Sequence, residues 1–230
     1  MKQPPSPILR TNRSFVIREG RFTSGQKKAL TELWPKYGIP DDDIDKVIPN
    51  DWFTKPQPTI LDIGFGSGDS LISLAQQRPD FNFIGVEVYR PGIGAVLQKI
   101  DKQEVGNIRV INRDVLQLLK TKFDNNLLSG VMVWFPDPWP KTKHHKRRLV
   151  QQEFLQELVR VMNPDSILHL ASDWQPYVKF MQKHVAQVKN ITPTNSNINP
   201  LGLNRPHTRF EQRGLRKGHE VSDLIYVVKK

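Results

Sequence analysis

Between Thr59 and Ser70 the chain reads TILDIGFGSGDS, and this stretch leaves few folds open. Ile60, Leu61 and Ile63 form a short apolar run after Pro58. Gly64, Gly66 and Gly68 follow, and then Leu71, Ile72, Leu74 and Ala75 recur at helical spacing. The pattern is a strand, a tight glycine-rich turn and a helix. Glycine there permits positive φ and lets a ligand approach the backbone, while a helix starting at Asp69–Ser70 directs free N–H groups to the same place. A nucleoside-type cofactor fits such a turn; so does a βα connection that needs glycine only for its geometry.

The continuation narrows the choice. Roughly twenty residues beyond the turn, where dinucleotide folds carry a ribose-binding acid, Phe83–Val88 (FIGVEV) reads as a second buried strand with Glu87 near its end. Gly64–Gly68 with Glu87 therefore reads as an adenosine pocket. The glycines are spaced G-x-G-x-G, and Asp69 follows Gly68. A carboxylate at that helix start would repel a pyrophosphate. A cofactor without phosphates suits the turn, and S-adenosylmethionine is the common one.

With 230 residues there is room for one α/β domain with a full core. Cysteine is absent, which excludes disulfides, thiolate metal sites and thiol nucleophiles. No apolar run has the length of a membrane span, and the start, MKQPPSPILR, lacks a signal-peptide core, so a soluble cytoplasmic protein is expected. A formal net charge of +11 favours polyanionic partners. Residues 1–50 read as a basic N-terminal extension, partly mobile, and 51–230 as the domain. Within the extension a helix is expected around Ser24–Tyr37, with Ser24 as a candidate N-cap and Pro35 as a stop or kink.

From Thr59 onward short apolar runs alternate with helical stretches, the signature of a parallel sheet with crossover helices. Further strands are expected at Ile108–Asn112, Val131–Phe135, Ile167–Ala171 and Leu224–Val228. Helices are expected at Pro91–Asp101, Val115–Leu119, Gln151–Met162 and Gln175–Val188, and a long surface loop over Asn190–Asn204. Ligands bind such sheets at the C-terminal strand ends. Besides Asp62, the acids Glu87, Asp114, Asp137 and Asp173 fall there. Asp114 is an acceptor for an adenine amino group or an N-cap for the next helix. Asp173 reads equally as an N-cap, with Pro176 in the first turn.

After Val131–Trp134 comes PDPWPK, in which Pro136 and Pro138 constrain the backbone around Asp137, and Trp139 offers a flat face. The loop resembles the acid/Asn-Pro-Pro-aromatic loops of methyltransferases that act on nitrogen, and rigidity there serves to align two reactants. The run KTKHHKRR follows, with Lys141, Lys143, Lys146, Arg147 and Arg148 as candidate phosphate ligands. The adjacent histidines lack metal-ligand spacing, and no metal is expected.

Taken together, LDIGFGSG, GVEV, NRD, FPDPWPK with KHHKRR, ASDWQPY and RPHTRFEQRGLRKGH resemble the bacterial tRNA (guanine-N7)-methyltransferase family, in the same order from about Ile60 to Tyr226. That resemblance implies a doubly wound, mostly parallel seven-stranded sheet flanked by helices, the Rossmann-like class I methyltransferase fold. It implies methyl transfer from S-adenosylmethionine to N7 of a tRNA guanine, expected at position 46 of the variable loop. Cofactor contacts would come from Asp62, Gly64, Gly66, Gly68, Glu87, Asp114 and Asp137, with Asp137 also in the catalytic role. Substrate contacts would come from Lys141, Asp173, Thr208, Arg209, Phe210 and Glu211, with Asp173 and Glu211 accepting from the guanine N1 and N2 donors. The family often has Glu where Asp62 stands and Lys where Arg209 stands. Its eukaryotic form has PDPHFK and a propeller-containing partner; Trp139–Pro140 argues against needing one, which leaves a monomer or homodimer. The alternative is an S-adenosylmethionine-dependent N-methyltransferase acting on another RNA or a protein.

Overall fold

The computed structural model describes residues 14–15, 22–40, 45–194, 201–202, 205–206, 211, 218 and 220–230. Ahead of the sheet lie α1 (Ser24–Glu32) and α2 (Trp34–Tyr37). The expected single helix is thus divided, because Pro35 starts a new helical turn. Its cap is Thr23, one residue before the expected Ser24, in a capping box with Gln26 that satisfies two backbone N–H groups at the helix start. Ala29, Tyr37, Ile39 and Val47 are buried, so this part of the basic stretch is packed on the domain. Ile39 N–H donates to the Val110 carbonyl at 2.9 Å, covering a sheet edge.

The rest alternates as β1 (Thr59–Ile63), α3 (Asp69–Gln77), β2 (Asn82–Val86), α4 (Arg90–Lys102), β3 (Ile108–Ile111), α5 (Val115–Lys122), β4 (Leu128–Trp134), α6 (Gln152–Val161), β5 (Met162–Ser172), α7 (Gln175–Val185), β6 (Ile191–Pro193) and β7 (Ser222–Val228). The seven strands lie in the order β3-β2-β1-β4-β5-β7-β6. β1 to β5 are parallel, and β7 runs antiparallel to β5 and β6. Two expectations change. β5 begins five residues before the expected Ile167, pairing Met162 with Leu128 across a register shift. Ile191–Pro193 lies in the expected surface loop but forms the edge strand β6, its backbone completing the ladder of β7.

β1 alternates between the two layers. Ile60 joins the core with Leu71 and Leu74 of α3 and Val96 and Leu97 of α4, whereas Leu61 and Ile63 join Leu118 of α5, Phe154 of α6 and Tyr177 of α7. Burying a large aliphatic side chain of this kind contributes about 1.5–3 kcal/mol. The order of strands reverses at β1, between β2 and β4, and at such a switch point a crevice opens beyond the carboxyl ends of the strands.

Candidate active site

In that crevice lies a cavity of about 550 Å³, lined by Ile63, Gly64, Gly66, Glu87 and Tyr89 from the segments after β1 and β2 and by Phe135, Pro136 and Asp137 from the loop after β4. This volume is within the usual range for cofactor sites. The turn after β1 builds its floor. Gly64, Gly66 and Gly68 have φ of +77°, +58° and +75°. A Cβ on Gly64 or Gly66 would meet nothing within 4 Å, so those two backbones face the open cavity. Gly68 serves another purpose than the expected cofactor contact: its Cβ would stand 2.2 Å from Val96 Cγ2, so it seats the start of α3 against α4. Asp69 is held by Lys99 and by the Ser67 hydroxyl at 2.8 Å.

Glu87, one residue past β2, closes the turn from the side. Its Oε2 accepts the Gly66 N–H at 3.1 Å, and its Oε1 accepts the N–H groups of Val88 at 2.7 Å and Tyr89 at 3.0 Å. A carboxylate offers about four lone-pair sites, so acceptor capacity remains for a ligand hydroxyl. Burial raises the Glu87 pKa, and these N–H groups oppose that rise. Asn112, which the sequence reading did not single out, fixes the Glu87 carbonyl through its Nδ2 at 2.8 Å.

Asp62 lies on β1 behind this surface, 3% exposed, and is not part of the cavity wall. Burial, then the charge of Glu87, pushes its pKa up to about 7. Asp114 resolves toward the cap: Oδ1 accepts the N–H groups of Leu116 at 2.9 Å and Gln117 at 3.4 Å, while its neighbours Arg113 and Val115 line the cavity.

The loop after β4 supplies a further part of the wall. Phe135 and Trp139 have φ of +54° and +44°, a region that costs a non-glycine residue of order 1–3 kcal/mol and clusters at functional sites. Asp137, between them, is exposed and faces the cavity. Trp139 is engaged by neighbouring side chains. The Arg147 guanidinium covers its ring at 3.8 Å, His144 packs edge-on at 5.6 Å, and its Nε1–H donates to the Ser14 carbonyl at 3.1 Å. Arg147 Nη2 in turn donates to the Phe15 carbonyl at 3.1 Å. Lys141, Lys143 and Lys146 are exposed along a 3-10 turn spanning Thr142–Arg147. Arg148 departs from the expected phosphate role: it is 3% exposed, donates from Nε to the Pro138 carbonyl at 2.8 Å, and lies over Phe180 and Tyr177. It ties the loop to α7 instead.

Asp173 follows β5 and is half-buried. It is not the N-cap of α7, because Trp174 holds that place and donates its N–H to the Ser172 hydroxyl at 3.2 Å. Glu211 is buried, and both its oxygens are taken by Arg205 at 2.6 and 2.8 Å. That ion pair orients the Glu211 carboxylate within a buried charge cluster. Arg205 also binds Asp223 at 2.8 Å, and Asp223 lies 2.8 Å from His169 Nε2. Burial works to raise the Asp223 carboxyl, but hydrogen bonds from His169 and Arg205 overcome it and hold the group well below the usual carboxylate range. Thr208, Arg209 and Phe210 lie outside the described residues. Among the described residues no cluster of His, Asp and Glu could hold a metal ion, and no helix is long and apolar enough to cross a membrane.

A family profile described as "Putative methyltransferase" matches residues 56–224. The tRNA (guanine-N(7)-)-methyltransferase of Nitrosococcus oceani is 44% identical over 227 residues, spanning 96% of this chain and 91% of that protein. The protein of the same name from Alkalilimnicola ehrlichii is 42% identical over 226 residues, spanning 93% and 91%. Among solved structures, the 16S rRNA methyltransferase KamB matches with a TM-score of 0.54 at 15% identity, covering 93% of this chain and 97% of that one. TrmN from Thermus thermophilus matches with a TM-score of 0.54 at 12% identity, covering 77% and 45%. These two share the fold, a Rossmann-like class I methyltransferase sheet.

Proposed function

The chain belongs to the tRNA (guanine-N7)-methyltransferase family, and we propose that its cavity binds S-adenosylmethionine and that the methyl group passes to N7 of guanosine 46 in the tRNA variable loop. The observation that carries this reading is one cavity lined both by the Gly64, Gly66 and Glu87 cradle and by Asp137. The cradle suits the cofactor's nucleoside. Its glycine backbones leave open space where side chains would stand, and the Glu87 carboxylate, oriented by three N–H groups, has capacity left for ribose hydroxyls.

S-adenosylmethionine supplies an electrophilic methyl group on a sulfonium. Guanine N7 carries a lone pair and no proton, so this chain need provide no general base. Its task is alignment, exclusion of water and stabilisation of charge. The methylated ring becomes cationic, and a carboxylate beside it gains attraction as the transition state forms. Asp137, set in a loop fixed by Pro136, Pro138 and the Arg148 tether to the Pro138 carbonyl, takes that role. Asp173 is the acceptor for the guanine N1 and N2 donors, and Lys141, Lys143 and Lys146 hold backbone phosphates of the tRNA. Contacts from Thr208, Arg209 and Phe210 rest on the family resemblance.

Incubation of the purified chain with unmodified tRNA and S-adenosylmethionine, followed by nucleoside analysis, tests the reading. N7-methylguanosine is the expected product, and Asp137→Ala should lose it while still binding the cofactor. Methylation at another atom, or of protein alone, would refute the assignment.

A further inference from the structure

The wall of the cavity beside Asp137 is completed by residues far away in sequence. Ser14 and Phe15 line it together with Phe135 and Pro136. They are held there by a latch made entirely from the loop after β4 and the basic run: the Trp139 indole N–H binds the Ser14 carbonyl, the Arg147 guanidinium binds the Phe15 carbonyl, and Arg147 stacks on Trp139 at 3.8 Å. Both bonds go to main-chain oxygens, so the latch fixes the path of this pair whatever its side chains. The side chain of Phe15 then answers a problem that Trp139 leaves. Trp139, with Arg147 over its ring and His144 packed edge-on, belongs to the latch and is not among the residues lining the cavity, so a planar base entering beside Asp137 takes its aromatic face from elsewhere.

We infer that Phe15 is a substrate-binding residue of the methyl-transfer site, an aromatic wall for the target purine that Trp139 and Arg147 hold in place. The inference rests on the proposed reading of the cavity, since it assigns the end beside Asp137 to the base and the end beside Glu87 to the cofactor. Arg147 acquires a positioning role distinct from a phosphate contact, and the basic stretch acquires a function at the site. A ring here would also keep water from the reacting nitrogen.

The test uses the full chain and compares the parent with Phe15→Ala and Phe15→Tyr. It measures kcat/KM for methylation of a tRNA transcript, and the dissociation constant of S-adenosylmethionine by calorimetry without RNA. Phe15→Ala should lower kcat/KM by about five- to 150-fold, the span covered by losing one base–aromatic stack, with cofactor affinity unchanged. Phe15→Tyr, which keeps the ring, should retain activity near that of the parent. Parent-like turnover in Phe15→Ala, an equal loss of cofactor affinity, or no retention in Phe15→Tyr would each overturn the inference. A parent that forms no N7-methylguanosine would instead defeat the reading of the preceding section, so the two failures are distinguishable.

Discussion

Two glycines of the same turn, Gly66 and Gly68, should respond to the same substitution in different ways. Each has φ in the left-handed region, and placing an L side chain there costs roughly 1–2 kcal/mol. For Gly66→Ala that is nearly the whole stability cost, because its Cβ would meet nothing within 4 Å. The added methyl instead enters the cofactor space, so the loss falls on S-adenosylmethionine affinity. For Gly68→Ala the Cβ would stand 2.2 Å from Val96 Cγ2 and 2.8 Å from Val96 Cβ. Val96 is fully buried and β-branched, with little rotamer freedom to withdraw. Overpacking of this kind costs a further 1–3 kcal/mol or about that, which brings Gly68→Ala to roughly 2–5 kcal/mol in all. Urea unfolding of the apo protein gives the stabilities, and calorimetry gives the cofactor affinities. Adding Val96→Ala, which removes the 2.2 Å contact and leaves the one to Cβ, should partly relieve Gly68→Ala and not Gly66→Ala, a coupling that a double-mutant cycle resolves. Equal stability of the two glycine variants, or absence of that coupling, would refute the division of labour within the turn.

Asp62→Asn should give a stability difference that depends on pH. An acid whose folded pKa is raised binds its proton more tightly in the native state, so the parent loses stability relative to the variant as pH climbs from 3.8 toward about 7, and the difference is constant above. Each unit of that rise corresponds to about 1.4 kcal/mol; urea unfolding of both proteins across this window would show a flat difference if Asp62 were solvated. Replacing Lys143 and Lys146 together by Ala should reduce the slope of log affinity for tRNA against log salt by about 1.4–1.8, the contribution of two phosphates. Arg148→Ala should leave that slope unchanged and lower the unfolding free energy, since its guanidinium is buried over Phe180 and Tyr177; a salt-slope change in Arg148→Ala would return it to the phosphate path.

What was legible in the sequence was local. The buried apolar run of β1, the glycine turn and the position of Glu87 follow from residues within about one supersecondary unit, where pattern and propensity speak directly. The acids at strand ends were legible for the same reason, although Asp114 could be settled as a cap only once Leu116 and Gln117 were seen to donate to it. The rest depended on distant partners. That Gly68 serves packing is decided by Val96 on α4, and that Trp139 is a latch is decided by Ser14. Arg205 stands only six residues before Glu211, but the pairing is shared with Asp223 on β7, which the local pattern does not announce. Likewise Arg148 looks like its neighbours Lys146 and Arg147 in the sequence, and only the packing of α7 against the loop separates it from them.

The central claim is that this cavity aligns a tRNA guanine with S-adenosylmethionine. Its most direct test is methyl transfer from tritiated cofactor to two tRNA transcripts that differ only in having guanosine or adenosine at position 46. Label confined to the guanosine transcript, and recovered as N7-methylguanosine, is the predicted result. Equal label in both transcripts, or none in either while the cofactor binds, would contradict it.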